Sequence, residues 1–120
     1  MLAKSHRFHG LNSLNFVYRY GKTYRGPAFA VKCALNQRRK SYRVAVVVSR
    51  KVNKSAVARN RIRRRLYEAI RLLPSEIAQP YDIVINVFND SIIDQPFGAL
   101  QAQLNKQLHE AGVLNNHTTP

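Results

Sequence analysis

The spacing of apolar residues along the chain predicts six secondary-structure elements. The first is a helix over residues 11–20, where apolar side chains recur every three or four positions and Gly21 follows as a stop signal. Its apolar stripe consists of Leu11, Leu14, Val17 and Tyr18. Residues 28–35 alternate instead, with Phe29, Val31 and Cys33 on one face, which is typical of a half-buried strand.

Two later segments, residues 42–49 and 81–88, are apolar on both faces. This pattern indicates strands that are covered on both sides, and we expect both to be central in a small sheet. Between them, residues 58–74 (ARNRIRRRLYEAIRLLP) predict an amphipathic helix that Ser55 caps and Pro74 ends. A projection at 100° per residue gathers one apolar stripe: Ile62, Leu66, Ala69, Ile70 and Leu73.

A last helix is predicted after Asp94, which can serve as its N-cap, and Gly112 can end it. Its apolar stripe comprises Phe97, Leu100, Leu104, Leu108 and Ala111. The element order is therefore α-β-β-α-β-α, an α+β sandwich of helices against a small sheet. The chain of 120 residues is expected to form a single domain over residues 1–120, with its core at about residues 8–111.

Positive charge changes this picture, because it is concentrated in one part of the chain. Of the 20 Lys and Arg residues, 19 lie within residues 1–71, whereas five of the six acids lie within residues 72–120. Residues 50–65 contain eight bases and no acid: Arg50, Lys51, Lys54, Arg59, Arg61, Arg63, Arg64 and Arg65. Because eight like charges repel each other within this short stretch of chain, the pattern favours a phosphate-rich partner over a merely solvated face.

Aromatic side chains are interleaved with bases in the first third of the chain, as in proteins that stack unpaired nucleotides. The aromatic set is Phe8, Phe16, Tyr18, Tyr20, Tyr24, Phe29 and Tyr42. Core packing is the alternative for each of them, and Tyr18 is the strongest candidate for stacking because it follows Leu14 by one helical turn.

The residues of a protein catalyst are absent from the pattern. The six acids are scattered, so that no close pair suits a two-metal nuclease. His6 and His9 have a spacing compatible with metal binding but no Cys or acid nearby, and the lone Cys33 lies in a predicted strand with no adjacent base. We therefore expect an RNA- or DNA-binding protein without a metal site of its own. We also expect no bilayer-spanning segment and a cytoplasmic location.

The stretch SRKVNKSAVARNRIRRRLYEAI resembles the protein subunits of bacterial ribonuclease P, whose signature is Arg-Asn-Arg on a helix entered from a strand; here it is Arg59, Asn60 and Arg61. The similarity extends to FVYRYGKTYRGPAFAV upstream and YDIVINV downstream, and so covers about residues 8–110. The resemblance implies a left-handed β-α-β crossover around this helix, where a right-handed one is otherwise the rule.

The same resemblance implies a function and two sets of site residues. The protein would be one component of a ribonucleoprotein whose RNA subunit, with Mg²⁺, removes the 5′ leader of precursor tRNA, and the protein itself would be monomeric. The residues expected to contact the catalytic RNA are Lys54, Arg59, Asn60, Arg61, Arg63, Arg64 and Arg65. The residues expected to contact the leader, in a cleft between the first helix and the sheet, are Leu14, Tyr18, Phe29, Lys32, Arg50 and Lys51.

This chain departs from the family pattern at two of these positions. Leu14 stands where the first helix usually offers an aromatic residue, and Lys32 stands where the sheet is often aromatic.

Two alternatives to this family fit part of the sequence. A basic-leucine-zipper reading of NKSAVARNR fails, because only Leu66 and Leu73 keep a heptad spacing before Pro74. A ribosomal protein that binds structured RNA stays open as an alternative.

Overall fold

The computed structural model describes residues 6–7, 11–74 and 77–114, with residues 11–13 described for the backbone only. Three helices and four strands follow one another in the order α1, β1, β2, β3, α2, β4, α3. Their bounds are α1 Leu11–Tyr20, β1 Lys22–Arg25, β2 Phe29–Leu35, β3 Arg43–Val48, α2 Ala56–Arg71, β4 Tyr81–Val87 and α3 Phe97–Glu110. A short 3₁₀ helix, Asp90–Ile93, precedes α3.

The four strands form one mixed sheet in the order β1-β2-β4-β3. β2 is antiparallel to both β1 and β4, whereas β3 and β4 run parallel. The predicted α+β architecture is confirmed, but the sequence pattern missed β1, whose four residues KTYR are mostly exposed and carry no apolar alternation. β3 and β4 are joined through α2, and the left-handed crossover that the family resemblance implies stays a prediction.

The larger core lies on the sheet face that α2 and α3 cover. Alternate residues of the strands point into it, so that Phe29, Val31 and Cys33 of β2 pack with the apolar stripes of the two helices. Burial raises the pKa of the Cys33 thiol to about 11, in keeping with its expected role as a small core residue. The other face carries a smaller core in which Val17 of α1 packs on Ala45 and Val84.

The expectation of two central strands was correct for β4 and wrong for β3. In the described sheet, β3 has a strand neighbour on one side only, and it nevertheless has buried residues on both faces. The reason is that α2 packs against one face and α1 against the other, so burial of both faces does not require a central position. The outer edge of β3 is met by Arg7, which forms an isolated parallel bridge with Val44.

The ends of α2 agree with the sequence pattern. Ser55 caps the helix, with its hydroxyl accepting a hydrogen bond from the Ala58 amide, and the predicted stripe residues Ile62, Leu66, Ala69 and Ile70 are buried. The cap predicted for the last helix is wrong. Asp94 instead ends the preceding 3₁₀ helix, and α3 begins after Pro96 without a side-chain cap. Gly112, at φ 75°, follows α3 in the left-handed conformation expected of a stop signal.

Gln107 connects α3 to the start of the sheet. Its side chain is buried, and its Nε2 donates hydrogen bonds of 3.0 Å to the carbonyls of Tyr24 and Phe29. The turn between these residues passes so close that a Cβ at Gly26 would lie 2.4 Å from Gln107 Oε1. Within the described ranges, no helix combines the length and the apolar character needed to cross a bilayer.

Candidate nucleic-acid interfaces

The five clustered arginines of α2 divide into those that face solvent and those that hold the fold together. Arg61 and Arg64 are exposed and make no hydrogen bond or ion pair to any residue that the structure describes. Both lie on the side of α2 that faces away from its apolar stripe, as the helical projection predicts. These two side chains can therefore reach an external phosphate without giving up an internal contact.

Arg59 instead holds the loop that leads into α2. Its Nη1 donates to the carbonyls of Asn53 and Lys54, at 3.0 and 2.9 Å, which fixes the backbone that presents the exposed Lys54 side chain. One turn further, Arg63 Nη2 donates to Asn60 Oδ1 at 2.7 Å, so the exposed amide of Asn60 is oriented by a neighbouring base.

Arg65 ties α2 to the 3₁₀ helix that precedes α3. Its Nη1 donates hydrogen bonds to the carbonyls of Ile92 and Ile93, at 2.5 and 2.9 Å, and the side chain is only partly exposed. A guanidinium can satisfy two carbonyls at once because its donors are fixed in a plane. The structure thus assigns Arg65 a structural contact in addition to its expected place on the RNA-binding surface.

The one acid of α2 does not offset this positive charge. Glu68 is paired with Arg71 by two hydrogen bonds of 2.8 and 2.7 Å, and the hydrogen bond from Arg71 lowers the pKa of Glu68 to about 2. Glu68 lies one helical turn beyond Arg64, and both of its carboxylate oxygens accept hydrogen bonds from Arg71 instead. We refer to Lys54 and the five clustered arginines of α2 (Arg59, Arg61, Arg63, Arg64 and Arg65) as the α2 surface.

A second candidate surface lies on the opposite sheet face, beside α1. Tyr18 is 40% exposed, and its hydroxyl donates to Asn86 Oδ1 of β4 at 3.2 Å. Lys32 of β2 lies beside it, with Nζ 5.4 Å from the centroid of the Tyr18 ring. An accessible aromatic ring with a cation next to it suits a stacked base and its phosphate. We call Tyr18, Lys32 and Asn86 the α1 cleft.

The structure does not bring all the predicted leader-binding residues into this cleft. Phe29 is 1% exposed and belongs to the core under α2 and α3, so its assignment to the cleft was wrong. The physical reason is the two-residue period of a strand, since β2 turns Phe29 to one face and Lys32 to the other. Leu14 is half-buried against the small core of Val17, and so it serves partly as a packing residue.

Arg50 and Lys51 are exposed in the turn after β3, at the end of the sheet where Val48 pairs with Val87. The α1 cleft lies at the same end, because Asn86 is the neighbour of Val87. The structure thus places these two bases near the cleft end of the sheet.

Two residues at this end of the sheet were missed by the sequence reasoning. Asn86 shares a face with Lys32, and Phe88 is 36% exposed with the Arg25 guanidinium 4.1 Å from its ring centroid. The signal for Asn86 was present in the sequence, since Asp82 and Asn86 are the polar residues of an otherwise apolar strand and lie on one face of it.

Metal-binding clusters of three or more His, Cys, Asp or Glu side chains do not occur in the part of the chain that the structure describes. His6 stacks on Tyr42 with ring centroids 4.1 Å apart, and its Nδ1 lies 2.9 Å from the Tyr42 carbonyl. His9 and Phe8, which the sequence analysis also considered, lie outside the described residues.

The fold and the two surfaces together define a small α+β protein that binds nucleic acid. A family model described as Ribonuclease P matches residues 2–112. The ribonuclease P protein component of Chloroflexus aurantiacus is 34% identical over 113 residues, which cover 94% of this chain and 82% of that protein. That of Roseiflexus castenholzii is 38% identical over 98 residues, which cover 82% and 79%. The chain belongs to the ribonuclease P protein family.

Solved structures agree with this assignment. The ribonuclease P protein of Staphylococcus aureus superposes with a TM-score of 0.79 at 26% identity, over 93% of this chain and 100% of that chain. The protein from Thermotoga maritima, at 23% identity and a TM-score of 0.71 over 81% of this chain and 89% of that chain, shows the same fold.

The division of the arginines predicts opposite effects on folding. Arg65→Ala should lower the free energy of unfolding of the isolated protein by about 1–3 kcal/mol, because it leaves two carbonyls without their charged donor. Arg61→Ala should leave the free energy of unfolding unchanged or raise it, because this substitution removes only repulsion between like charges. Urea unfolding of both variants checks this, and equal destabilisation by the two substitutions would contradict the division.

Proposed function

We propose that this protein binds the RNA subunit of ribonuclease P through the α2 surface and the 5′ leader of precursor tRNA through the α1 cleft. Membership of the ribonuclease P protein family supports an RNA partner. The observation that carries the proposal is the separation of the two surfaces by the sheet, with Arg61 and Arg64 on one side and Tyr18 on the other. One protein can thereby contact two RNA molecules at the same time.

The α2 surface is suited to folded RNA, which displays closely spaced phosphates. Arg61 and Arg64 offer planar, permanently charged groups that can bind phosphate oxygens in pairs. The surrounding loop is already ordered by Arg59, so little conformational entropy is lost on binding. A rigid basic helix of this kind supports a role in assembly with the catalytic RNA.

The α1 cleft is suited to a single strand. The Tyr18 ring offers a face for an unpaired base, and its hydroxyl bond to Asn86 holds the ring in place before RNA arrives. The ammonium of Lys32 supplies a cation at the distance of a neighbouring phosphate. Arg50 and Lys51 extend the positive charge at this end of the sheet. A leader, which is unpaired, fits this combination better than a duplex does.

Catalysis is assigned in this proposal to the RNA subunit, with Mg²⁺ held there. The acids of the described chain do not fit a magnesium site, because they are dispersed and form no cluster of three or more possible metal ligands. Asp82 is buried beneath Arg43 and Asn36, and Asp90 accepts a hydrogen bond from Asn53. The polypeptide contributes binding and orientation of the leader. We include in the proposal that the protein is a cytoplasmic monomer outside its RNA complex. A ribosomal role is not favoured, since the relatives are ribonuclease P components.

The first prediction concerns the polypeptide alone. Protein freed of RNA by nuclease treatment and denaturing purification should not cleave precursor tRNA, because its acids form no site that activates water. Activity should return when the ribonuclease P RNA and Mg²⁺ are added, as followed by the release of labelled leader. Leader release by the protein before RNA is added would overturn the assignment of catalysis.

A second prediction tests the α2 surface. Arg61→Ala and Arg64→Ala should each weaken binding to the ribonuclease P RNA by about 1–3 kcal/mol, because each removes a charge-assisted contact. Lys106→Ala, on the exposed side of α3, removes one charge elsewhere and is the matched control. Filter binding at fixed ionic strength measures the difference. Equal affinity of Arg64→Ala and Lys106→Ala would show that the α2 surface is only solvated.

A third prediction tests the α1 cleft. Tyr18→Ala should still assemble with the RNA subunit, but the holoenzyme should bind precursor tRNA about 1–2 kcal/mol less tightly, because one stacking surface is lost. Tyr18→Phe keeps the ring and should retain most of the affinity. Mature tRNA, which has no leader, should bind all three proteins alike. Weaker binding of mature tRNA to Tyr18→Ala would mean that Tyr18 acts through the fold or through the RNA interface.

A further inference from the structure

A basic and aromatic pocket lies on the other side of α1 from Tyr18. Phe16 and Tyr20 are one turn apart on the helix and line this pocket, whereas Tyr18 projects about 180° away from them. The pocket has a volume of about 740 Å³, within the range of small-molecule sites. Its other lining residues are Asn36, Arg38, Arg39, Arg43 and Asp82.

The floor of this pocket is a buried ion pair on the sheet. Arg43 of β3 donates to both carboxylate oxygens of Asp82 of β4 at 2.9 Å, and Asp82 is fully buried. Because β3 and β4 pair Arg43 with Asp82, the two side chains share the face on which α1 lies. Asp82 is the only acid lining this pocket among the described residues, and its charge is already matched.

One side of the pocket is formed by the turn at residues 36–39, which is hydrogen-bonded to Asp82 beneath the pocket. Asn36 Nδ2 donates to Asp82 Oδ2 at 2.9 Å, while Asn36 Oδ1 accepts from the Arg38 amide and the Asn36 carbonyl accepts from the Arg39 amide. The side chain and carbonyl of this single residue thus fix the backbone from which Arg38 and Arg39 project. Both arginine side chains are exposed, with no ion pair within the described chain.

The opposite wall is aromatic and accessible. Tyr20 is 64% exposed, although burial of a tyrosine ring is favourable, and its centroid lies 5.4 Å from that of Phe16. The Arg19 guanidinium lies 5.5 Å from the Tyr20 centroid. A ring that can be stacked upon thus faces two guanidinium groups on a pre-ordered turn, and no unpaired carboxylate would repel a phosphate.

We propose that this pocket binds one unpaired nucleotide of the precursor leader, with its base on Tyr20 and its phosphate at Arg38 and Arg39. The inference rests on the proposed function and adds a second, separate contact to it. The leader is the source that the geometry favours, because the pocket opens on the α1 face of the sheet. The α2 surface, proposed for the catalytic RNA, lies on the other face.

The spacing of the two sites on β4 sets the length of leader that can reach the pocket. Asp82 beneath the pocket and Asn86 at the α1 cleft are four residues apart, which is about 13 Å along a strand. Because Val17 of α1 packs on Val84 between these two positions, the leader has to pass around α1. At about 3.4 Å per stacked nucleotide, it must therefore extend at least about four nucleotides beyond the α1 cleft to fill the pocket. Substitution of Tyr20 should not change the affinity for precursors whose leaders end at the α1 cleft.

The test measures the affinity of reconstituted holoenzyme for precursor tRNAs whose leaders grow by one nucleotide at a time. Tyr20→Ala should bind short-leader precursors like wild type and long-leader precursors about 5- to 30-fold more weakly. Tyr20→Phe, which keeps the ring, should bind both like wild type. The Tyr18→Ala defect should begin at leaders that are shorter by at least about four nucleotides.

Arg39→Ala tests the phosphate contact with the same RNAs. It should lower the slope of log affinity against log salt by about 0.7 for long-leader precursors only, because one single-strand phosphate contact is lost. Lys106→Ala is the charge-matched control and should leave the slope unchanged. The unfolding midpoints of Tyr20→Ala and Arg39→Ala should match wild type, since both side chains are exposed.

Three results would overturn the proposed pocket. Tyr20→Ala could equal wild type at every leader length, could weaken short- and long-leader precursors alike, or could weaken assembly with the RNA subunit in the absence of precursor. In the last case the nucleotide would come from the catalytic RNA instead. If Tyr18→Ala retains its leader-dependent defect in any of these cases, the proposed function stands and only the second contact fails. If Tyr18→Ala has no such defect, the proposed function itself fails.

Discussion

The organisation of this protein depends on the burial of β3 and β4 on both faces. A strand pair that is apolar on both sides must be covered on both sides, and here α1 covers one face while α2 and α3 cover the other. The two coverings are unequal, since α1 contributes only a small core around Val17. Because α1 needs few inward residues, Tyr18, Arg19 and Tyr20 are left exposed. The hydrophobic requirement of the sheet thus separates the α1 cleft from the α2 surface.

The exposed positive surfaces also require that acidic side chains do not occupy the arginines that would bind phosphate. Three of the five described acids are hydrogen-bonded to neighbours: Asp82 to Arg43 and Asn36, Glu68 to Arg71, and Asp90 to Asn53. Arg43 and Arg71 neutralise Asp82 and Glu68, so these two carboxylates are engaged by bases other than Arg61 and Arg64. A carboxylate close to Arg61 or Arg64 would compete with phosphate for the same donors. The positive surfaces therefore depend on where the acids are placed as much as on the number of bases.

Local periodicity was sufficient to predict much of this fold and part of the site. The stripe of α2 and the exposed positions of Arg61 and Arg64 follow from 100° per residue, because a helix face depends only on nearby sequence. The assignment of Phe29 to the α1 cleft, which the family resemblance implied, was wrong. The two-residue period of β2 places Phe29 and Lys32 on opposite faces of the sheet. β1 was missed because an exposed strand of four residues, KTYR, is held by its pairing with β2 and shows no apolar alternation.

Contacts between residues far apart in sequence could not have been predicted from pattern. The bonds from Arg65 to Ile92 and Ile93 join residues 27 and 28 positions apart, and the local sequence gives the angle of Arg65 on the helix but not these partners. Arg64 and Arg65 differ in their angle around the axis of α2. Arg65 borders the apolar stripe of α2, where α3 and its 3₁₀ helix pack, whereas Arg64 lies on the far side. Arginine suits both places, since its apolar stem can cross a packed boundary and its planar head can satisfy either two carbonyls or a phosphate. In a run of arginines on one helix, those beside the apolar stripe can therefore hold the helix to its neighbours, while those on the opposite side stay free to bind RNA.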